Sequence, residues 1–188
     1  MSNVRRQIPL AFMATIQACA LPVDALLCKY LRGGAYADCY VTEVARAVSH
    51  AEYVEAFYTT AVFKAERLLL AWFASRPSTD LQAQELACGR INSFAAWSVE
   101  ARSLDQVLLS DFHGRTRSWL MRAPAATSAS ASTRLYFGSA VVPMANPRSG
   151  ERRMGVAFRA LLGFHKLYSR VLLRAAVSRL ERSSSTEK

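Results

Sequence analysis

Four segments between residues 94 and 142 alternate apolar and polar residues, and this alternation limits the fold of the chain more than any other feature. A period of two places successive side chains on opposite faces of a strand, and short gaps between such segments favour antiparallel hairpins. The predicted strands cover residues 94–102, 106–113, 116–123 and 133–142. A further strand is predicted over residues 37–44, with Tyr40 and Val44 on one face. Together these segments predict an antiparallel sheet of five strands.

Helix signals accompany the predicted strands. Ser49 and Glu52 have the spacing of a capping box, in which each side chain bonds the backbone N–H of the other residue. A half-buried helix is predicted to follow over residues 50–74. A weaker cap at Thr79 predicts a short helix over residues 80–88. Both helices therefore lie between the first predicted strand and the other four.

The last part of the chain predicts a long amphipathic helix over residues 151–180, with Phe158, Tyr168 and Val171 in its apolar stripe. Residues 151–188 also hold nine Lys and Arg against three Glu, which accounts for +6 of the formal net charge of +10. The basic side chains predicted on one side of this helix are Arg159, Lys166, Arg170 and Arg174. Such a face attracts anions such as phospholipid headgroups, although most runs of charge are only a solvated surface.

The expected fold class is α+β, with the antiparallel sheet packed against the long C-terminal helix. A chain of 188 residues buries enough surface to form a core without a disulfide or a metal ion. A single domain is predicted over residues 37–182. A leader and irregular segment is expected at residues 1–36, and a disordered tail at residues 183–188.

Cysteine and histidine usage gives no sign of a metal site. No two of the four cysteines have CxxC spacing, and the chain holds only three histidines. The glycine-rich motifs that hold phosphates and the serine elbow of hydrolases do not occur. No metal and no cofactor are therefore predicted, and the cysteines are interpreted as buried free thiols.

The beginning of the chain has some features of a signal peptide. Two arginines precede a short apolar run at residues 8–16, and residues 18–20 have the small-x-small form of a cleavage site. The run is short and interrupted by polar residues, and Met13 is an alternative start. The expected location is the cytoplasm, with export as the alternative if residues 1–20 are a signal peptide. No later stretch approaches the ~18 apolar residues of a membrane span.

Three stretches resemble a family of uncharacterised bacterial proteins: residues 36–40 (YADCY), 56–60 (AFYTT) and 114–120 (GRTRSWL). The order of the predicted elements also resembles the helix-grip superfamily, which includes the START and polyketide-cyclase-like proteins. The resemblance covers about residues 20–180 and rests on the order of the elements and on short stretches of similar sequence rather than on a catalytic motif. It implies a curved sheet around the C-terminal helix, with an apolar cavity between them. Such domains usually have six or seven strands, whereas the sequence predicts five.

Binding of a small hydrophobic or lipid-like ligand between the sheet and the C-terminal helix is the first hypothesis for function. Its candidate ligand-binding residues are Trp97, Trp119, Tyr136, Phe158 and Tyr168. The same side chains also suit an ordinary core. Nucleic acid is not expected as a partner, because the basic helix is not accompanied by a glycine-rich or aromatic platform. The oligomeric state is left open.

An enzyme of the cyclase, hydrolase or isomerase kind, acting on a hydrophobic carbonyl compound, is the second hypothesis. Asp111 and His113 lie two residues apart on a predicted strand, where a carboxylate can orient an imidazole as a general base. Arg117 on the next strand can hold an anion or a carbonyl. The same three residues also suit an exposed hairpin end with weak ion pairs.

The third hypothesis is a membrane-surface or protein-interaction module that uses the basic C-terminal helix.

Overall fold

The computed structural model describes residues 15–74, 77–125, 132–142, 144–145, 152–153 and 156–186. The side chains of residues 69–74, 144–145, 152–153, 156–164 and 184–186 lie outside that description. The strands are β1 (Gln17–Ala18), β2 (Tyr36–Val44), β3 (Ser93–Phe94), β4 (Trp97–Arg102), β5 (Gln106–Asp111), β6 (Thr116–Pro124), β7 (Thr133–Val141), β8 (Met144–Ala145) and β9 (Arg152–Arg153). The helices are α1 (Cys28–Arg32), α2 (His50–Tyr58), α3 (Ala61–Ala74), α4 (Asp80–Ala87) and α5 (Val156–Thr186).

Seven strands form one antiparallel sheet in the order β1-β2-β7-β6-β5-β4-β3, while β8 and β9 pair separately. Strands β3 to β7 are neighbours in the sheet in the order in which they occur in the chain, as is usual for strands joined by short connections. Strand β2 instead pairs with β7, so that Tyr40 lies opposite Phe137. The predicted α+β class, with an antiparallel sheet and a C-terminal helix, is confirmed.

The sheet has two strands more than the sequence predicted. Strand β1 adds an edge beside β2. At the other edge, the strand predicted over residues 94–102 is divided into β3 and β4 by a tight turn at Ala95 and Ala96. Ala95 has a positive φ of 52°, which is an uncommon conformation for a residue with a Cβ atom. Residues 94–97 (FAAW) are all apolar, so the sequence pattern does not reveal this turn.

Both predicted capping boxes form, but the single helix predicted over residues 50–74 is wrong. The chain leaves helical geometry at Thr59 and Thr60 and resumes as α3. The Thr59 hydroxyl donates to the backbone carbonyl of Glu55 at 2.6 Å. The Thr60 hydroxyl accepts a hydrogen bond from the backbone N–H of Phe63 at 3.1 Å, in the manner of an N-cap. Threonine hydroxyls that compete for backbone groups in this way favour helix ends over helix interiors.

The sheet is covered on both faces. On one face α2 and α5 pack over Phe137 and its neighbours. On the other face the chain between residues 19 and 30 packs on Trp119, and Leu27 of this segment is fully buried. The N-terminal segment is therefore a layer of the core rather than only an irregular approach to it. Residues 1–14, which include part of the signal-peptide pattern, lie outside the described chain.

Helix α5 crosses the first face and packs against α2, α3, β2 and β7. Its buried apolar side chains, among those described, are Leu172, Leu173, Ala176, Val177 and Leu180. Val171, predicted in the apolar stripe, is 40% exposed. Residues 171–173 are all apolar, so the sequence does not show which of them face the core. The structure buries the second and third. The helix also continues through Ser183, into the tail that was predicted to be disordered.

Within the described ranges, no helix is both long enough and apolar enough to cross a bilayer.

Candidate functional site

A cavity of about 190 Å³ lies between the sheet and α5. Helices α2, α3 and α5 form one side of it, and strands β4, β6 and β7 form the other. Its apolar lining residues are Phe57, Phe63, Trp97, Phe137, Ala140 and Leu172. The cavity is smaller than the roughly 300 Å³ at which pockets for drug-sized ligands begin. It is larger than a cavity of about 150 Å³ that accepts benzene in another protein.

Glu66 of α3 places a carboxyl group in this cavity. It accepts a hydrogen bond from the Tyr168 hydroxyl of α5. Burial raises the pKa of Glu66, and the hydrogen bond from Tyr168 opposes part of that rise. Burial also raises the pKa of Tyr168, and the neighbouring Glu66 charge raises it further. In the described chain, no Lys, Arg or His lies within ion-pair distance of Glu66.

Further hydroxyl groups lie at or beside the cavity, among them those of Ser118, Tyr58 and Ser169. The Ser118 hydroxyl of β6 and the Tyr58 hydroxyl of α2 are 3.1 Å apart and buried. Ser169 of α5 is also buried, and its hydroxyl has no hydrogen-bond partner in the described part of the chain. An unpaired buried hydroxyl costs free energy unless something bonds to it. Because Ser169 lines the cavity, that partner can be a ligand.

Asp38, Ser139 and His165 meet at the same face of the sheet. The Ser139 hydroxyl donates to Asp38 Oδ1 at 2.6 Å and lies 2.6 Å from His165 Nε2. His165 Nε2 is also 3.6 Å from Asp38 Oδ2. Because the only hydroxyl proton of Ser139 goes to Asp38, its oxygen is an acceptor for an Nε2–H of His165. A serine nucleophile needs a histidine that accepts its proton, which is the opposite arrangement.

Arg117 lines the cavity, but its guanidinium group is already paired. Its Nε atom lies 2.6 Å from Glu100 Oε2 and 2.6 Å from the Tyr30 hydroxyl oxygen. The guanidinium carbon is 4.6 Å from the centre of the Tyr30 ring. Lys29 also forms an ion pair with Glu100. The network joins the N-terminal segment to β4 and β6, and Glu100 balances the charge of Arg117.

The predicted ligand-binding residues separate into two groups. Trp97 and Tyr168 line the cavity. Trp119 and Tyr136 lie on the other face of the sheet, against the N-terminal segment, with ring centres 6.3 Å apart. Alternate residues of a strand point to opposite faces, and the sequence does not say which face carries the cavity. The side chain of Phe158 lies outside the described part of the chain.

The three predicted catalytic residues do not come together. Asp111 Oδ1 accepts hydrogen bonds from the backbone N–H groups of Arg115 at 2.6 Å and of Thr116 at 3.0 Å, so it holds the turn between β5 and β6. His113 lies in that turn and is exposed. The strand predicted to end at His113 ends at Asp111, which removes the shared face on which the pair was expected. Arg117 is bonded elsewhere, as described above.

The predicted basic face lies on the outer side of α5. Its described side chains, Lys166, Arg170 and Arg174, are all exposed. Two apolar residues between them, Leu167 and Val171, are exposed by 61% and 40%. The Arg170 guanidinium carbon is 5.5 Å from the centre of the Tyr40 ring. The side chain of Arg159 lies outside the described residues.

A second concavity of about 310 Å³ lies between the start of α3 and the C-terminal half of α5. Arg179 lines it together with Thr59 and Lys64. Lys64 is paired with Asp80 at 2.5 Å, and the Thr59 hydroxyl is already bonded to a helix carbonyl. The cavity beneath α5 differs from it in having an aromatic wall and an unpartnered buried hydroxyl.

Comparisons of the chain with protein-family models, with curated protein sequences and with solved structures find no match. In the ranges that the structure describes, no group of three or more His, Cys, Asp or Glu side chains is placed to hold a metal ion. A function is therefore proposed from the geometry of the cavity and of the basic face.

Proposed function

We propose that the protein binds a small, mainly apolar molecule in the cavity between the sheet and α5. The observation that carries this proposal is the combination of an aromatic wall with the unpartnered hydroxyl of Ser169. Pockets for small molecules are mostly apolar and contain a few polar groups that orient the ligand. Glu66 and Tyr168 supply a second polar point.

The size of the cavity limits the ligand. A volume of about 190 Å³ suits a molecule with one ring or a short branched chain, and it excludes a whole lipid. Of the small hydrophobic and lipid-like ligands expected from the sequence, the proposal therefore keeps only the small hydrophobic ones. A long C-terminal helix lying over an antiparallel sheet, with a cavity between them, supports placing the chain in the helix-grip class as part of the same proposal.

Benzyl alcohol is a suitable probe, since it has one ring and one hydroxyl. Addition to the labelled protein, followed by two-dimensional NMR, is expected to shift the amide signals around residues 66, 137 and 169 in a saturable manner. Ser169→Leu fills the cavity and is expected to abolish those shifts. Ser178→Leu is the matched control, because Ser178 is on the same helix but does not line the cavity. Equal binding by the two variants would contradict the proposal.

The exposed face of α5 favours a second candidate function, attachment to an anionic membrane surface. Lys166, Arg170 and Arg174 are spaced by four residues, so they share one side of the helix, and Leu167 and Val171 are exposed beside them. Basic and apolar side chains together are typical of helices that lie in the interface of an anionic bilayer.

Vesicle co-sedimentation tests this second candidate. Binding is expected to vesicles that contain phosphatidylglycerol, to weaken with added salt, and to be absent with neutral phosphatidylcholine vesicles. The double variant Lys166→Glu/Arg170→Glu is expected to lose binding. Arg32→Glu/Arg90→Glu changes the net charge equally at exposed positions away from α5 and is expected to keep more of it. Equal loss by both variants would leave only a general effect of net charge.

A further inference from the structure

The charged groups of the cavity are not balanced. Among the described residues, the charged or titratable ones that line it besides the tyrosine are Glu66, Arg117 and His165. Arg117 is paired with Glu100 at 2.6 Å, and His165 lies 3.6 Å from a carboxylate oxygen of Asp38. Glu66 has a single hydrogen bond, from a neutral hydroxyl, and no cationic partner in the described chain. Among the described residues, the cavity therefore contains one carboxyl group without a counter-charge.

A carboxylate enclosed among apolar side chains loses most of its hydration. Two events relieve this cost: the carboxyl group takes up a proton, or a cation enters beside it. The raised pKa of Glu66 has the same physical cause, the loss of hydration on burial. A cationic ligand would supply the second, and it would be held by the same carboxylate that is otherwise costly to bury.

The rest of the cavity wall suits the same kind of ligand. Rings of Phe57, Phe63, Phe137 and Trp97 line the space. The negative face of an aromatic ring attracts an organic cation, and this attraction is strongest where water is excluded. The buried hydroxyl of Ser169 has no partner among the described residues, and an ammonium N–H would supply one.

We infer that the cavity selects a small organic monocation, a primary or secondary amine with a ring-sized apolar part, whose ammonium group is held by Glu66. This inference rests on the proposed ligand-binding function and adds the charge of the ligand. The volume of about 190 Å³ sets the size of the apolar part. Arg117 and His165 do not oppose the cation, since each is already paired with a carboxylate.

Benzylamine and benzyl alcohol are the two probes, because they share a ring and a methylene group and differ in charge at neutral pH. Titrations of the full chain followed by NMR are expected to show that benzylamine binds at least tenfold more tightly. Glu66→Gln keeps the size of the side chain and removes its charge, and it is expected to lower the benzylamine preference to about onefold. Glu85→Gln is the matched control on α4, outside the cavity, and is expected to keep the wild-type preference.

The outcomes separate the inference from the function on which it rests. If benzyl alcohol binds as tightly as benzylamine to the wild-type chain, the cavity binds ligands but the inferred charge selection is overturned. If Glu66→Gln folds and keeps the full preference for benzylamine, the assignment to Glu66 is overturned. If neither probe shifts any cavity signal, the proposed ligand-binding function itself is overturned, and the inference falls with it.

Discussion

Glu66 and Arg67 are neighbours in α3 and have different environments. Glu66 faces the cavity with one hydrogen bond, whereas the buried guanidinium group of Arg67 makes three hydrogen bonds. Arg67 donates to Ser78 Oγ at 2.9 Å, to the Ser78 carbonyl at 2.5 Å and to Asp80 Oδ1 at 2.7 Å. Its guanidinium carbon is also 5.4 Å from the centre of the Phe94 ring. A buried charge with this many partners stabilises a single local structure, while one with few partners is available for binding.

His50 makes stability depend on pH. This residue opens α2, is 8% exposed, and its pKa is lowered from 6.5 to about 4 by burial and, to a smaller degree, by the nearby Arg102 charge. The unfolded chain therefore binds more protons than the folded chain between these two values, and stability is lost as the pH falls through that window. Over the range from pH 7.5 to 4.5 the loss attributable to His50 is roughly 2–3 kcal/mol.

Urea denaturation at the two pH values measures this loss. His50→Gln keeps a neutral polar side chain at acid pH, so its free energy of unfolding is expected to fall by roughly 2–3 kcal/mol less than that of the wild-type chain. His113→Gln, at an exposed position, is the control and is expected to behave like wild type. The same pH dependence in all three proteins would mean that folding does not lower the pKa of His50, and it would contradict this prediction.

Among the elements, one buried glutamine contributes to attaching the N-terminal segment to the sheet. Gln106 Oε1 accepts hydrogen bonds from the Leu26 backbone N–H at 3.0 Å and from Trp119 Nε1 at 2.9 Å. Gln106 Nε2 donates to the Asp24 carbonyl at 3.1 Å. A buried amide with three partners is satisfied, so this polar group does not weaken the layer it joins. The segment is therefore part of the cooperative fold, although its own secondary structure is short.

Two cysteines face each other where this segment pairs with β2. The register of β1 and β2 places Cys19 opposite Cys39, the two sulfur atoms are 3.3 Å apart, and the Cys19 backbone N–H donates to the Cys39 carbonyl at 3.0 Å. Burial, and then the hydrogen bond from Cys19, raises the pKa of the Cys39 thiol. Cys19 is the more exposed of the two, so it is the group that meets an external oxidant first.

Treatment with excess oxidised glutathione is expected to link Cys19 to Cys39. Cys19 attacks the small disulfide and releases one reduced glutathione, and Cys39 then displaces the second, so that two protein thiols are exchanged for one disulfide. Peptide mass spectrometry identifies the linked pair, and the free energy of unfolding is expected to rise by about 2–4 kcal/mol. Cys28→Ser is expected to retain the link and Cys19→Ser to lose it. A link that instead joins Cys28 to Cys39 would contradict the pairing read from the strand register.

At the scale of the whole molecule, the features that the sequence predicted depend on near neighbours in the chain. Alternation identified β5 and β6, and spacing of three residues identified both capping boxes. The cavity depends on pairs far apart in sequence, such as Glu66 with Tyr168 and Asp38 with Ser139. No local pattern states that β2 joins β7, or which face of β6 lies beneath α5, so these polar groups could not be brought together from the sequence alone.

The docking of α5 determines whether the cavity exists, and Leu173 tests it. Leu173 is fully buried against the first face of the sheet, so Leu173→Ala is expected to lower the free energy of unfolding by about 2–5 kcal/mol. Val171→Ala removes apolar atoms two residues away on the 40% exposed side of the same helix, and its expected effect is within about 0.5 kcal/mol. Urea denaturation followed by circular dichroism compares the two variants. Similar small losses for both would mean that α5 does not close the sheet, and a binding site roofed by Tyr168 and Ser169 would then have no physical basis.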